Sequence, residues 1–216
     1  MIRQFGVIDL FFLVAAIRWT MLLTLAAFAG GGMVGLIIAI MRVSNLAILR
    51  TVAVCYIQVI QGTPLLVILF VFFFGLSIFG LPVLPWIAAS LSFSLYASAF
   101  LGEIWRGALQ AIPRTQWEAG GSLGLGFVEQ LRYIIIPQAV RIAIPPTVGF
   151  LVQLIKNTSL AATIGFVELT REGQLTTAAT FQPFTVYVTV ACLYFAMCFP
   201  LTQWSRVLER SFHVAG

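Results

Sequence analysis

Five long apolar runs divide this chain, and charge is nearly absent from all of them. Residues 19–40, 52–76 and 184–204 carry no acidic or basic side chain; residues 86–104 carry only Glu103, and residues 143–166 only Lys156. Each run is close to, or longer than, the roughly 20 residues that a helix needs to cross the hydrocarbon core. The whole chain is 61% hydrophobic and 9% charged, where a soluble domain holds roughly 45–50% and roughly 25%. Lipid offers no hydrogen-bond partner to an open backbone, so spans of this kind must be helical. The sequence therefore predicts an all-α integral membrane protein: a single domain, 1–216, with about five transmembrane helices.

Arg18 interrupts the first apolar stretch. An external interfacial segment is expected at 1–17, followed by a first span from about Trp19 to Ile40, in which Gly31 and Gly35 form a G-x-x-x-G pair suited to close helix contact. The second span is read as continuous from Val52 to Leu76, and the third runs to Ile104. A polar stretch fills 106–141. The fourth span runs from about Ala143 to Phe166, with Glu168 capping its outer end in solvent. The fifth, from about Phe184, leads into a basic amphipathic tail at 205–216.

Lys and Arg concentrate on the cytoplasmic side of spans. Arg42, Arg50, Arg106, Arg114, Arg132, Arg141, Arg206 and Arg210 fall on one side; Arg3, Arg18 and Arg171 fall on the other. This places the N-terminus outside and the C-terminus in the cytoplasm, which an odd number of spans requires. The net charge of +5 comes from basic residues that recur singly between apolar runs, so it does not read as a nucleic-acid surface. Cys55, Cys192 and Cys198 lack metal-ligand spacing and read as packing residues. His213 has no visible partner. No cleavable signal peptide is expected, and there is no internal repeat of the kind many secondary transporters show.

The stretch EAGGSLGLGFVEQLRYIIIPQA, Glu118 to Ala139, stands out against this background. Thr115 and Glu118 have the spacing of a capping box, and Gly124 sits where a helix end favours a left-handed residue. A two-turn helix is expected from Gln116 to Leu123, then a second from Phe127 to Ile136 that stops at Pro137. So short a helix is not stable alone in water. Trp117 and Leu123 offer apolar handles, while Gly120 and Gly121 would let another backbone approach. Either the loop packs on its own protein or it is a docking knob for a partner.

Lys156 lies roughly 22 Å along a helix from Arg141. A lysine at the bilayer centre costs roughly 2.5–3.5 kcal/mol, so it is expected to face the protein interior or a wet cavity. Asn157, Thr158 and Ser159 add polar groups at the same level. A structural ion pair would also explain Lys156, and a bond to Arg106 would explain Glu103.

EAGGSLGLGFVEQLRYIIIPQA resembles the "EAA" loop of bacterial ABC-importer permeases. QGTPLLVILFVFFFG (Gln61 to Gly75), FLGEIWRGALQAIPRTQWEA (Phe100 to Ala119) and LIKNTSLAATIGFVELT (Leu154 to Thr170) are similar to the polar amino-acid branch of that family, the histidine/arginine/glutamine-type uptake systems. The chain departs from the usual E-A-A-R-A-L-G at Gly120, Gly121 and Ser122, and from R-G-T-P at Gln61. The resemblance implies the membrane subunit of an importer in the bacterial inner membrane. Its partners would be an ABC ATPase subunit, an extracytoplasmic substrate-binding protein and a second permease chain, identical or related.

In that reading Thr115, Trp117, Glu118, Ala119, Gly120, Leu123 and Gly124 would form a cytoplasmic helix–turn–helix coupling loop that docks on the ATPase. Lys156, Asn157, Thr158 and Ser159 would meet the carboxylate of an amino-acid substrate, and Glu103 its ammonium group or a cationic side chain. The chain has no G-x-x-x-x-G-K-[ST] loop, so ATP and Mg would belong to the partner and no cofactor is expected here. The rival reading is an ion-coupled secondary amino-acid transporter with Glu103 and Lys156 as coupling residues.

Overall fold

The computed structural model describes residues 4–213, with side chains given as far as residue 210. Arg3 lies outside the described residues, as does the side chain of His213. All regular structure within them is helical. The helices are α1 (Val7–Val43), α2 (Ala47–Gly62), α3 (Leu65–Ile78), α4 (Pro85–Gln110), α5 (Arg114–Ser122), α6 (Phe127–Ile164), α7 (Leu169–Thr180) and α8 (Pro183–His213). Four are long and apolar enough to cross a membrane, and α2 with α3 makes a bent fifth.

Three boundaries differ from the sequence reading. First, α1 passes through Arg18 without a break, so residues up to Ile17 are not a separate interfacial helix. At 37 residues it is about 55 Å long, well beyond the roughly 30 Å hydrocarbon core. Its first turns are kept helical by packing: Leu13 is fully buried against Leu169, Val186 and Val190. The guanidinium of Arg18 lies 5.5 Å from the ring centre of Trp19.

Second, the run from Val52 to Leu76 is not one rod. The chain turns by 97° between α2 and α3. Thr63 is extended at φ −103°, ψ 130°, as the ring of a following proline demands. Its hydroxyl donates to the Val59 carbonyl at 2.7 Å, occupying one acceptor that the broken helix leaves free.

Third, α6 does not stop at Pro137. A π turn at Leu131–Ile135 precedes the proline, and its wider winding accommodates a ring that has no N–H to donate. The α-helix then continues from Ile136 to Asn157 through Pro145 and Pro146. It tightens to a 3₁₀ helix at Thr158–Ile164 and ends at left-handed Gly165, φ +82°. The fourth span is therefore the upper part of a helix that begins in the polar stretch. In the same way, residues 205–213 of the basic tail continue α8.

The bundle centre is the α1–α4 contact. Gly31 and Gly35 face Ala97, Ser98 and Gly102 so closely that a Cβ on Gly35 would meet the Ser98 carbonyl oxygen at 3.0 Å. This is small-residue packing, the means by which helices attract one another in a solvent as apolar as themselves.

Candidate functional site

The α6 face turned away from the bundle carries its polar groups. Gly149, Gln153, Lys156 and Thr163 are exposed at helical spacing, while Leu154 and Ile155, on the opposite side, are fully buried. Lys156 therefore points outward from its own chain, which leaves a wet cavity, of its two expected settings, and not the packed interior of this chain. It makes no ion pair among the described residues. A lysine, a glutamine and a threonine in line on a membrane span are not a lipid-facing surface. The face is completed by something polar: another chain, water or solute.

Behind the stripe, Gln153 Nε2 donates to the Tyr96 hydroxyl at 3.5 Å. The Tyr96 ring lies 4.5 Å from that of Phe100, which stacks on Phe150 at 5.5 Å and 13°. Ser159 is half-buried and its hydroxyl bonds back to the Lys156 carbonyl at 2.8 Å. Thr158 is fully buried, bonded to the Ile155 carbonyl at 2.7 Å. Of the four residues expected to act together, three border the outward face and Thr158 anchors the turn from within. Gln153 was legible as a member, three residues before Lys156 on one face; nothing near Tyr96 in the sequence pointed to it.

Glu103 does not join this cluster. Its Oε1 accepts from Arg106 Nε at 2.8 Å and again from Arg106 Nη2, and its Oε2 lies 3.5 Å from Arg42 Nε. The helices α4 and α6 are antiparallel, since Trp105 Nε1 meets Thr147 Oγ1 at 3.1 Å while Tyr96 meets Gln153. Glu103 is seven positions from Tyr96, about 10 Å along the axis. Its carboxylate ties the end of α1 to α4, the ion-pair arrangement that its spacing to Arg106 allowed.

Glu168 corrects another expectation. It is fully buried, not solvated, and it caps α7, not α6. Burial pushes its carboxyl pKa up, against the opposing effect of hydrogen bonds from backbone N–H groups and Tyr194.

In the polar stretch, α5 is a helix of 9 residues. It begins after Pro113, so Thr115 lies inside the first turn and the Thr115–Glu118 capping box does not form. Pro113 sets the start instead, its carbonyl accepting from the Gln116 N–H at 3.0 Å. Gly124 is left-handed, φ +76°, as its place after the helix predicted. Glu129 Oε2 accepts from the Gly126 N–H at 2.9 Å and opens α6.

The two faces of α5 differ in use. Trp117 stacks on Phe127 at 5.7 Å and 17° and packs beside Ile112, Ile135 and Ala139. A Cβ on Gly120 would meet Gln130 Cγ at 2.9 Å and Ile134 Cδ1 at 3.0 Å. Trp117 and Gly120 thus fasten α5 to its own chain. Thr115, Glu118, Ala119, Gly124 and Leu123, which is 78% exposed, lie on the free side.

A bundle of apolar helices, a polar seam on a span and a small helix clamped beside it define a polytopic membrane transport subunit. The chain belongs to the family described as the binding-protein-dependent transport system inner membrane component, whose model matches residues 31–214. It is 37% identical to the probable amino-acid ABC transporter permease protein YckA of Bacillus subtilis (strain 168), over 93% of this chain and 89% of that one. It is 38% identical to the L-cystine transport system permease protein TcyB of the same organism, over 90% and 83%. It is 34% identical to the glutamine transport system permease protein GlnP of Escherichia coli (strain K12), over 92% and 91%.

Among solved structures it is similar to a chain of an amino acid ABC transporter with histidines, at TM-score 0.87 and 33% identity over 93% and 94%. The MetNI methionine ABC transporter, at TM-score 0.76 and 18% identity over 96% and 99%, shares the fold. Membership in a binding-protein-dependent family displaces the ion-coupled secondary-transporter reading.

Proposed function

We propose that the chain is the permease subunit of an ATP-driven importer of polar or charged amino acids. Its N-terminus lies outside and its C-terminus in the cytoplasm. The observation that carries this is the outward polar seam of Gln153, Lys156, Ser159 and Thr163 on a membrane-spanning helix. A second permease chain set against the seam would enclose a polar path between two apolar bundles. Lys156 and Asn157 would meet a substrate carboxylate there. Glu103 is engaged with two arginines at another level, so it holds helices together instead of binding ligand.

The docking surface for an ABC ATPase subunit is the free side of α5: Thr115, Glu118, Ala119, Leu123 and Gly124. ATP and Mg act on that partner, and a binding protein delivers substrate from outside. Because α5 is clamped to the root of α6, a push on it moves the helix that bears Lys156. ATP binding then favours one accessibility state by binding the two states unequally. The experiment is uptake of labelled L-glutamine and L-cystine by liposomes holding the co-purified complex. ATP-dependent uptake lost in Lys156→Met, with assembly intact, supports the reading. Uptake unchanged by Lys156→Met removes Lys156 from the solute path, and absence of ATP-dependent uptake in the native complex removes the importer reading.

A further inference from the structure

Arg18 is a cation that its own chain leaves without a counter-ion. It is exposed on α1 between Val14 and Leu22, which lie one turn to either side and are exposed as well. It makes no ion pair among the described residues. In the proposed orientation it stands on the side of the membrane where basic residues are few. An arginine set among lipid-facing apolar side chains is costly unless its head reaches an anion.

Beside Arg18 lies an aromatic recess. The guanidinium is 5.5 Å from the ring centre of Trp19, and Trp19, Trp86, Phe166 and Val167 line a recess of about 520 Å³. That volume falls within the roughly 300–1,000 Å³ of ligand sites. Trp19 belongs to α1, Trp86 to the first turn of α4, and Phe166 follows the end of α6. The rings brace one another. Trp19 meets Trp86 at 6.3 Å and Phe166 at 6.4 Å, both near edge-on, and Trp86 lies 5.5 Å from Phe166. Trp19 is roughly 35 Å along α1 from Arg42, close to the thickness of the hydrocarbon core. The recess therefore sits at the membrane boundary, the level that tryptophan favours.

We propose that this recess holds one anionic phospholipid of the outer leaflet. Its phosphate rests on Arg18, and the upper part of one acyl chain lies against Trp19, Trp86 and Phe166. Guanidinium and phosphate match in charge and in hydrogen-bonding geometry. The apolar walls favour an anion that carries a hydrocarbon body over a small hydrated one. A cation, which the ring faces alone would attract, is repelled by Arg18. The site uses none of the residues of the Lys156 seam and does not depend on how that seam is read.

The test is native mass spectrometry of the purified complex in neutral detergent, titrated with phosphatidylglycerol and with phosphatidylcholine of the same acyl chains. The native complex is expected to bind phosphatidylglycerol the more tightly. Arg18→Gln weakens that binding about fivefold, the worth of one basic residue against an anionic lipid surface, and brings it to the level of phosphatidylcholine. Arg18→Lys, which keeps the charge, retains most of the preference. Val167→Trp fills the recess from its exposed side, leaves Arg18 in place and also weakens the binding. Glycerol 3-phosphate, which has the charge but no chain, does not displace the lipid.

Equal affinity of the native complex and Arg18→Gln for phosphatidylglycerol overturns the proposal. So does undiminished binding by Val167→Trp, which would leave a charge on an ordinary lipid-facing surface. Displacement by glycerol 3-phosphate would replace the lipid site with a small-anion site. Failure of the native complex to prefer phosphatidylglycerol removes the lipid and leaves the recess to another chain.

Discussion

Gly31 of α1 and Ala97 of α4 approach so closely that a Cβ added to the glycine would sit 2.4 Å from the alanine Cβ. The same added atom would lie 2.9 Å from the Ser94 carbonyl oxygen, so backbone as well as side chain would have to move. Gly31→Val is expected to cost about 1–3 kcal/mol or more through overpacking. It should lower the thermal unfolding midpoint of the detergent-solubilised protein. Gly32→Ala is the matched comparison: its Cβ meets only a Trp105 ring carbon, at 3.6 Å. Equal midpoints for the two variants would show that the α1–α4 contact is looser than described.

The split between the two faces of α5 predicts two different failures. Leu123→Asp puts a charge on the free side, where the leucine touches nothing that the fold needs. The permease should insert and unfold normally yet lose its co-purifying ATPase. Trp117→Ala removes the ring that clamps α5 to Phe127 and the Ile135 cluster, so the 106–141 segment should become more sensitive to protease. Retention of the ATPase by Leu123→Asp in a pull-down would place the docking surface elsewhere.

What the sequence made legible follows from what is local. Apolar length gave the spans, the G-x-x-x-G pair gave the close face of α1, and Gly124 gave the end of α5, because each depends on a few neighbouring residues. The misread boundaries have one origin: a local signal overruled by distant packing or by altered winding. Arg18 looked like a break, but Leu13 is held by residues more than 150 positions away. Pro137 looked like a stop, but the π turn before it absorbs the ring. Helix α7 escaped notice because its N-cap is a buried glutamate satisfied by Tyr194, a partner 26 residues on. The cost of Lys156 in lipid makes legible that it turns to polar surroundings, but not whether those lie inside the chain or beyond it. Its outward direction is a property of an assembly, which one sequence does not display.

Lys156 and Glu103 should separate cleanly in experiment. Lys156→Met removes the cation from the seam and is expected to lower uptake at least about tenfold while the complex assembles. Glu103→Gln weakens the tie to Arg42 and Arg106, whose partly exposed geometry makes it worth about 1 kcal/mol or less. It should lower the unfolding midpoint slightly and leave the relative uptake of L-glutamine, L-cystine and L-arginine unchanged. A selective change in L-arginine uptake by Glu103→Gln would return that carboxylate to the substrate site.

Glu168 predicts a pH signature with a definite sign. Burial raises its pKa in the folded protein above the unfolded value, which is roughly 4.3. Folding therefore favours the protonated carboxyl. Its stabilising contribution is complete below the unfolded pKa and is lost as pH rises through the folded one. Glutamine mimics the protonated acid and does not titrate. The unfolding midpoints of the native protein and Glu168→Gln should converge near pH 4 and diverge toward pH 8, with Glu168→Gln the more stable at the upper end. If the native protein instead gains on the variant as pH rises, the hydrogen bonds from Arg171 and Tyr194 outweigh desolvation and Glu168 is held ionised in the fold.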